Sequence, residues 1–280
     1  MMRLYRTQTS IIVELDGQFH ALPQATDWNS LFHADHLEGT LTQLVNDSGT
    51  QRLEAWNPDD ALKPIVSQEV WASGVTYLRS RDARMTEAED GGDCYDRVYD
   101  ADRPEIFFKA TPSRTVGPGE ALRIRRDSTW DVPEPELTLM ISSTGKIQGY
   151  TIGNDMSSRS IEGQNPLYLP QAKTYEKCAA LGPSILVTAD PLDPLTGIAL
   201  EIRRQGQVTF TGGIAISQIK RKFEDLVAYL FAECEFPNGC FLMTGTGIVP
   251  PDHFTLQAGD EVAITIDGIG TLKNIIEQKP

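Results

Sequence analysis

Three acidic residues, placed around two apolar segments, constrain this 280-residue chain more than any other feature. Glu134 and Glu136 lie two residues apart and lead directly into an apolar run, so the alternation of a β-strand places both carboxylates on one face. Asp155 closes a second apolar segment, which would pair with the first across a turn at residues 144–145. The sequence therefore predicts a β-hairpin that brings three carboxylates together.

Carboxylates on one face of a hairpin repel each other unless a cation lies between them. Three hard oxygen ligands, with water completing an octahedron, suit Mg²⁺ better than zinc, and Mn²⁺ is the alternative. We therefore predict that Glu134, Glu136 and Asp155 bind Mg²⁺. An isolated Glu-Pro-Glu would instead indicate a solvated edge strand, because proline cannot donate to a sheet. The third acid, Asp155, at the end of the second segment favours metal ligation.

The charge balance excludes two classes of partner. The net charge is −14 and the isoelectric point is about 4.7, so the long-range field repels nucleic acid and anionic membranes. No apolar stretch approaches the roughly 20 residues that a membrane span needs, and no signal peptide is visible. Four cysteines without a Cys-x-x-Cys pair are typical of reduced thiols. We expect a cytoplasmic protein.

The remaining patterns predict an α+β fold that is mainly β. Asp16-Gly17 between apolar runs indicates a hairpin, and residues 1–68 are predicted to form a small N-terminal α+β domain. Across residues 69–280, short strands separated by glycine and proline predict a rolled-sheet or barrel-like core. Apolar residues at helical spacing predict one clear helix within residues 219–231.

Several motifs together resemble the fumarylacetoacetate hydrolase family over roughly residues 70 to 275. They are the Glu-x-Glu pair, the stretch 149–159, Lys173 ahead of 180–183, and the Met-Thr-Gly-Thr-Gly run at 243–247. Residues 77–81, 103–111 and 165–173 resemble the sugar-acid dehydratase branch of that family. The resemblance implies the family's C-terminal fold behind a small N-terminal domain, in a homodimer or homotetramer.

The resemblance also implies a magnesium-dependent hydro-lyase of pentose catabolism that acts on a 2-keto acid. The expected reaction is dehydration of 2-keto-3-deoxy-D-arabinonate to 2,5-dioxopentanoate. A carbon–carbon hydrolase or decarboxylase acting on an acylpyruvate, and a non-enzymatic metal-dependent binding protein, stay open as alternatives. Hydrolases of the family carry Tyr-x-x-His-x-x-Glu; counting from Tyr77, Ser80 and Ala83 stand at those two positions, which favours the dehydratase.

The predicted catalytic residues are Lys173 and Glu105. By resemblance Lys173 is the base, and its largely apolar neighbours predict burial and a pKa lowered from about 10.4 toward neutrality. Glu105 lies among aromatic residues, which predicts a raised pKa and a general-acid role, with an ion pair as the alternative. The residues predicted to contact the substrate are Ser80, Arg81, Lys109 and Thr246.

Overall fold

Strands dominate the computed structural model, which describes residues 1–87 and 93–279, apart from the side chain of residue 87. The strands are β1 (Met2–Arg6), β2 (Ile11–Leu15), β3 (Gln18–Ala21), β4 (Gln51–Leu53), β5 (Glu69–Gly74), β6 (Glu105–Ala110), β7 (Thr115–Val116), β8 (Ala121–Ile124), β9 (Asp131–Val132), β10 (Pro135–Ile141), β11 (Ile147–Asp155), β12 (Ser157–Ser158), β13 (Ala179–Val187), β14 (Gly197–Arg204), β15 (Gln207–Ala215), β16 (Cys240–Met243), β17 (Glu261–Ile266) and β18 (Gly270–Gln278). The helices are α1 (Leu37–Val45), α2 (Leu78–Glu87), α3 (Asp93–Asp100), α4 (Arg159–Gln164), α5 (Leu169–Lys173) and α6 (Phe223–Phe231).

The strands form two large sheets and one short pair. The larger sheet has eleven strands in the order β4-β3-β2-β1-β13-β11-β10-β16-β5-β6, with β7 beside β13. The smaller has the order β15-β14-β17-β18-β8, and β9 pairs with β12. The predicted mainly β, α+β class is confirmed. Within the described residues the larger sheet begins at β4 and finishes at β6, so it is open rather than a closed barrel.

The main apolar core lies between the two sheets. Alternate residues of β10 and β11, including Leu137, Leu139 and Ile152, meet residues such as Leu200 and Ile264 of the smaller sheet. The odd-numbered residues of β10 face this core. Glu134 and Glu136 have even numbers, so they lie on the opposite face of the sheet. The acids therefore lie outside the intersheet core.

A second core covers the opposite face of the larger sheet. Leu4, Phe32 and Leu41 from the N-terminal segment pack in one cluster with Met140 and Phe241 of the central strands. β1 also pairs with β13, so one sheet runs through both parts of the chain. The boundary between residues 68 and 69 stays a prediction, because the N-terminal segment shares its sheet and core with the rest.

The predicted hairpins and the predicted helix are present. β10 pairs with β11 antiparallel across the turn at 144–145, and β2 pairs with β3 across Asp16-Gly17, whose φ angles are 50° and 79°. Positive φ at both central residues is the backbone that Asp-Gly favours. The predicted helix within 219–231 is α6, which begins later, at Phe223. Among the described residues no helix is both long and apolar enough to cross a membrane.

Candidate active site

The three predicted metal ligands converge at the open end of the β10–β11 hairpin. Glu136 lies opposite Gly153, and the Asp155 N–H donates to the Glu134 carbonyl at 3.0 Å, which extends the pairing by one step. One oxygen from each of the three buried acids lies within 4.8 Å of the others. A buried set of three hard oxygen donors, with no sulfur or nitrogen ligand in the set, fits Mg²⁺ or Mn²⁺.

Arginines hold one oxygen of the first ligand. Arg84 of α2 donates to Oε1 of Glu134 at 2.6 Å, and Arg159 of α4 donates to the same oxygen at 2.8 Å. Arg84 also lies 3.2 Å from Glu162, which accepts from a serine hydroxyl of β12. These contacts fix Oε1 of Glu134 in place.

The other two ligands are held in the same way. The Gly245 N–H donates to Oε2 of Glu136 at 2.6 Å, and Nζ of Lys109 lies 2.6 Å from Oδ1 of Asp155. Burial raises the pKa of Glu136 well above its ordinary value, and the neighbouring carboxylates add to the effect. Hydrogen-bond donors that hold a carboxylate in this way orient it toward a metal ion. Each of the three carboxylates thus has at least one oxygen held by a protein donor.

Lys173 lies at that centre, but its predicted pKa was wrong. Its Nζ contacts Oε2 of Glu134 and lies 3.2 Å from Oδ2 of Asp155. Burial alone would lower the pKa of Lys173, yet these two carboxylates outweigh burial and raise it. The apolar neighbours of Lys173 in the sequence predicted its burial correctly. They could not indicate that the hairpin brings two acids to its amine. These contacts favour the ammonium form of Lys173.

Glu105 has the environment expected of a general acid. It begins β6, lies partly buried, and faces the same small cavity as the triad. Burial raises the pKa of Glu105 to about 7, with the negative charge of Glu162 contributing and Arg84 opposing. A carboxyl with that pKa keeps a large protonated fraction at neutral pH.

The cavity gathers most of the predicted residues. Ser80, Glu105, Lys173 and Thr246 line it together with the three acids. The further lining residues are Ser73, Gly74, Val75, Arg84, Phe107, Glu162, Leu169 and Gly245.

Arg81, predicted to contact the substrate, is not among the described residues that line the cavity. Its guanidinium pairs with Asp82 at 2.8 Å and with Asp96 at 3.4 Å, and lies over the ring of Tyr99 at 5.2 Å. One turn of α2 further on, Arg84 points inward instead. The predicted role of Arg81 therefore has no support in this geometry.

Lys109, also predicted to contact the substrate, lies behind the cavity rather than in it. It is fully buried, and its ammonium donates to the carbonyls of Met156 and Lys173 in addition to its contact with Asp155. These three partners surround the ammonium of Lys109 behind the cavity. The geometry therefore supports a structural role for Lys109.

The family comparison agrees with this arrangement of residues. A family model described as "Fumarylacetoacetate (FAA) hydrolase C-terminal" matches residues 70–277. The chain belongs to the fumarylacetoacetate hydrolase family. The family predicted from the motifs is thereby confirmed.

Two relatives in this family are sugar-acid dehydratases by name. A probable 2-keto-3-deoxyxylonate dehydratase of Haloferax volcanii is 47% identical over 246 residues, which are 86% of this chain and 82% of that protein. A 2-dehydro-3-deoxy-D-arabinonate dehydratase of Saccharolobus solfataricus is 46% identical over 221 residues, covering 78% and 74%.

A solved structure extends the similarity to the whole fold. It is 2-keto-3-deoxy-D-arabinonate dehydratase complexed with magnesium and 2,5-dioxopentanoate, with a TM-score of 0.84 and 36% identity over 99% of both chains.

Three charged residues near the site were not among the site residues predicted from the sequence. Arg84 lies four residues after Ser80 on α2, and Arg159 and Glu162 are three apart on α4. Those spacings place each pair on one helix face. Because α4 follows Asp155 within a few residues, inward charges there could have been predicted from the motif that contains the acid.

Replacing Glu105 by glutamine is expected to change how stability depends on pH. The folded-state pKa of Glu105, about 7, lies above its ordinary 4.5, so its ionisation favours unfolding and the wild type loses stability as pH rises from 4.5 to 7. Glu105→Gln removes that loss. In urea unfolding of metal-free protein, the free energy of unfolding of the variant relative to that of the wild type should increase between pH 4.5 and 7 and stay constant outside this range. A difference independent of pH would contradict the assignment; Glu261→Gln, at an exposed strand position, is the matched control.

Proposed function

We propose that this protein is a magnesium-dependent dehydratase that converts 2-keto-3-deoxy-D-arabinonate to 2,5-dioxopentanoate. The observation that carries the proposal is the grouping of a three-carboxylate centre, a buried lysine and a partly buried glutamate around one cavity. The names of the two relatives and the ligands of the solved neighbour support it. For D sugars the xylonate and arabinonate names describe one compound, because the two sugars differ only at C2 and C3, which become a ketone and a methylene.

Lys173 is the proposed base for a proton on C3. Glu134, Glu136 and Asp155 would hold the cation beside it. When bound, a divalent cation supplies Lewis-acid polarisation of the 2-keto oxygen and a positive charge that opposes protonation of the nearby amine. Lys173 is positioned for the proton transfer because its Nζ already lies at the oxygens of Glu134 and Asp155.

Glu105 is the proposed acid for the departing C4 hydroxyl. Its pKa of about 7 leaves much of the carboxyl protonated at neutral pH, which is the state that can give a proton to a leaving group. Phe107 lines the same cavity and adds an apolar surface to it.

The atoms of the reaction balance without a redox cofactor. Loss of the C3 proton and the C4 hydroxyl as water forms a double bond between C3 and C4. To reach the C5 aldehyde, the C5 carbon then loses one carbon-bound proton and its hydroxyl proton, while C3 and C4 each gain one proton. The net change is the loss of one water.

The rival on this fold is a hydrolase or decarboxylase of acylpyruvates. A hydrolase must activate an attacking water, and Ser80 stands in the cavity where hydrolases of the family carry histidine. Within the described lining, none of the chain's four histidines appears. Serine is a much poorer base for water than histidine, so this replacement favours elimination over hydrolysis.

Turnover of a keto-acid panel in the presence of Mg²⁺ tests the proposal. The 2-keto-3-deoxypentonate should be consumed, and acylpyruvates should be left essentially untouched. Consumption of acylpyruvates alone would establish the hydrolase, and tight binding of the panel without turnover would establish a binding protein.

The cellular setting is part of the same proposal. The four cysteines are free thiols, which suits the reducing cytoplasm. The net charge of −14 opposes nucleic-acid binding. A homodimer or homotetramer follows from the family resemblance, and light scattering of the purified protein measures it.

A further inference from the structure

Glu105 lies directly against a glycine of the neighbouring strand. β5 and β6 are antiparallel, and Gly74 is the cross-strand partner of Glu105. A Cβ built on Gly74 would stand 2.0 Å from Oε2 of Glu105 and 2.7 Å from its Cδ. Carbon atoms in contact normally lie about 3.5 to 4.0 Å apart, so a methyl group and this carboxyl cannot share the space.

The backbone of Glu105 is fixed independently of its carboxyl. The Ser73 hydroxyl donates to the Glu105 carbonyl at 2.8 Å, and the β5–β6 pairing continues from this point along both strands. A side chain at position 74 would therefore move the flexible end of Glu105 rather than its main chain. This differs from Gly149, where an added Cβ would stand 2.5 Å from the backbone carbonyl of Leu186.

From this contact we propose that Gly74 is a positioning residue for the reaction. Because position 74 has no side chain, the Glu105 carboxyl can lie against the strand and face the cavity. The inference rests on the proposed function, because it takes Glu105 as the group that protonates the C4 hydroxyl. Gly74 itself transfers no proton. It acts only by leaving space for the Glu105 carboxyl. Displacement of a catalytic group by about 1 Å can lower the rate by about 10²-fold.

Gly74→Ala is the direct test, in the magnesium-loaded enzyme. The variant should fold as the wild type does, since the atom it displaces is the end of a flexible side chain and no positive φ is required at position 74. Its kcat should fall by about 10²-fold toward that of Glu105→Gln. Gly213→Ala is the matched control, because an alanine Cβ at this exposed strand glycine meets nothing closer than 3.7 Å.

A double variant separates positioning from simple blockage of the cavity, which Gly74 also lines. If Gly74 acts through Glu105, Gly74→Ala/Glu105→Gln should have a kcat within about twofold of Glu105→Gln, because residues that act as a unit are not additive. A methyl group that obstructs the substrate would instead raise KM and multiply the loss. The latter result overturns the proposal.

The failure of this inference is distinguishable from failure of the proposed function. If Glu105→Gln loses activity and Gly74→Ala does not, the positioning role is wrong and the acid role stands. If Glu105→Gln keeps full activity, the acid role is wrong, and the positioning role that rests on it is wrong as well.

Discussion

Lys173→Met is expected to lower kcat by about 10²- to 10⁴-fold, the range that a general base contributes. Methionine matches the length of the side chain without an amine, so the burial of position 173 is preserved. Magnesium affinity should be unchanged or higher, because the variant lacks the ammonium that contacts Glu134 and Asp155. The keto acid should still bind, since chelation does not depend on the base.

Steady-state kinetics and calorimetric titration with Mg²⁺ measure these two effects separately. Lys273→Met, which removes an exposed strand lysine, is the control for loss of one positive charge. A kcat within about threefold of wild type would show that Lys173 is not the base. Loss of both magnesium binding and activity would indicate that Lys173 has a structural role instead.

Removal of the metal is expected to abolish turnover, and Mg²⁺ or Mn²⁺ should restore it. The donor set consists of three carboxylates without cysteine or histidine, which is the chemistry these ions prefer. Glu136→Gln should weaken Mg²⁺ binding by more than the about 10- to 100-fold that loss of an outer-shell partner costs. Full activity after treatment with EDTA and desalting would contradict the metal-dependent mechanism.

The same variant should leave the metal-free protein as stable as the wild type or more so. Glu136 is buried, and the neighbouring carboxylates oppose its ionisation, so an uncharged amide removes a repulsion. The Gly245 N–H bond to Oε2 of Glu136 can be retained by the amide oxygen of glutamine. Thermal unfolding in EDTA checks this, and a large loss of stability would show that the carboxylate is needed for folding.

The sequence was sufficient for the parts of the site that follow from local periodicity. The two-residue spacing of Glu134 and Glu136, together with a turn at 144–145, determined a hairpin whose register carries Asp155 to the same place. Period-2 alternation is a property of the strand itself, so this prediction needed no knowledge of the remaining fold.

Electrostatic surroundings could not be predicted in the same way. The pKa of Lys173 is raised rather than lowered because acids from the hairpin lie against an amine that follows them by 18 residues or more. Lys109 was predicted to contact the substrate, yet its partners are the Asp155 carboxylate and two main-chain carbonyls from distant parts of the chain. Such contacts depend on tertiary structure.

The identity of the product from 2-keto-3-deoxy-D-arabinonate tests the central claim most directly. The magnesium-loaded enzyme is incubated with this substrate, and with an acylpyruvate in parallel, and the products are followed by mass spectrometry. A product lighter than the sugar acid by one water, with the acylpyruvate unchanged, is the predicted result. Cleavage of a carbon–carbon bond with uptake of water would contradict the account and show that this cavity hydrolyses without a histidine.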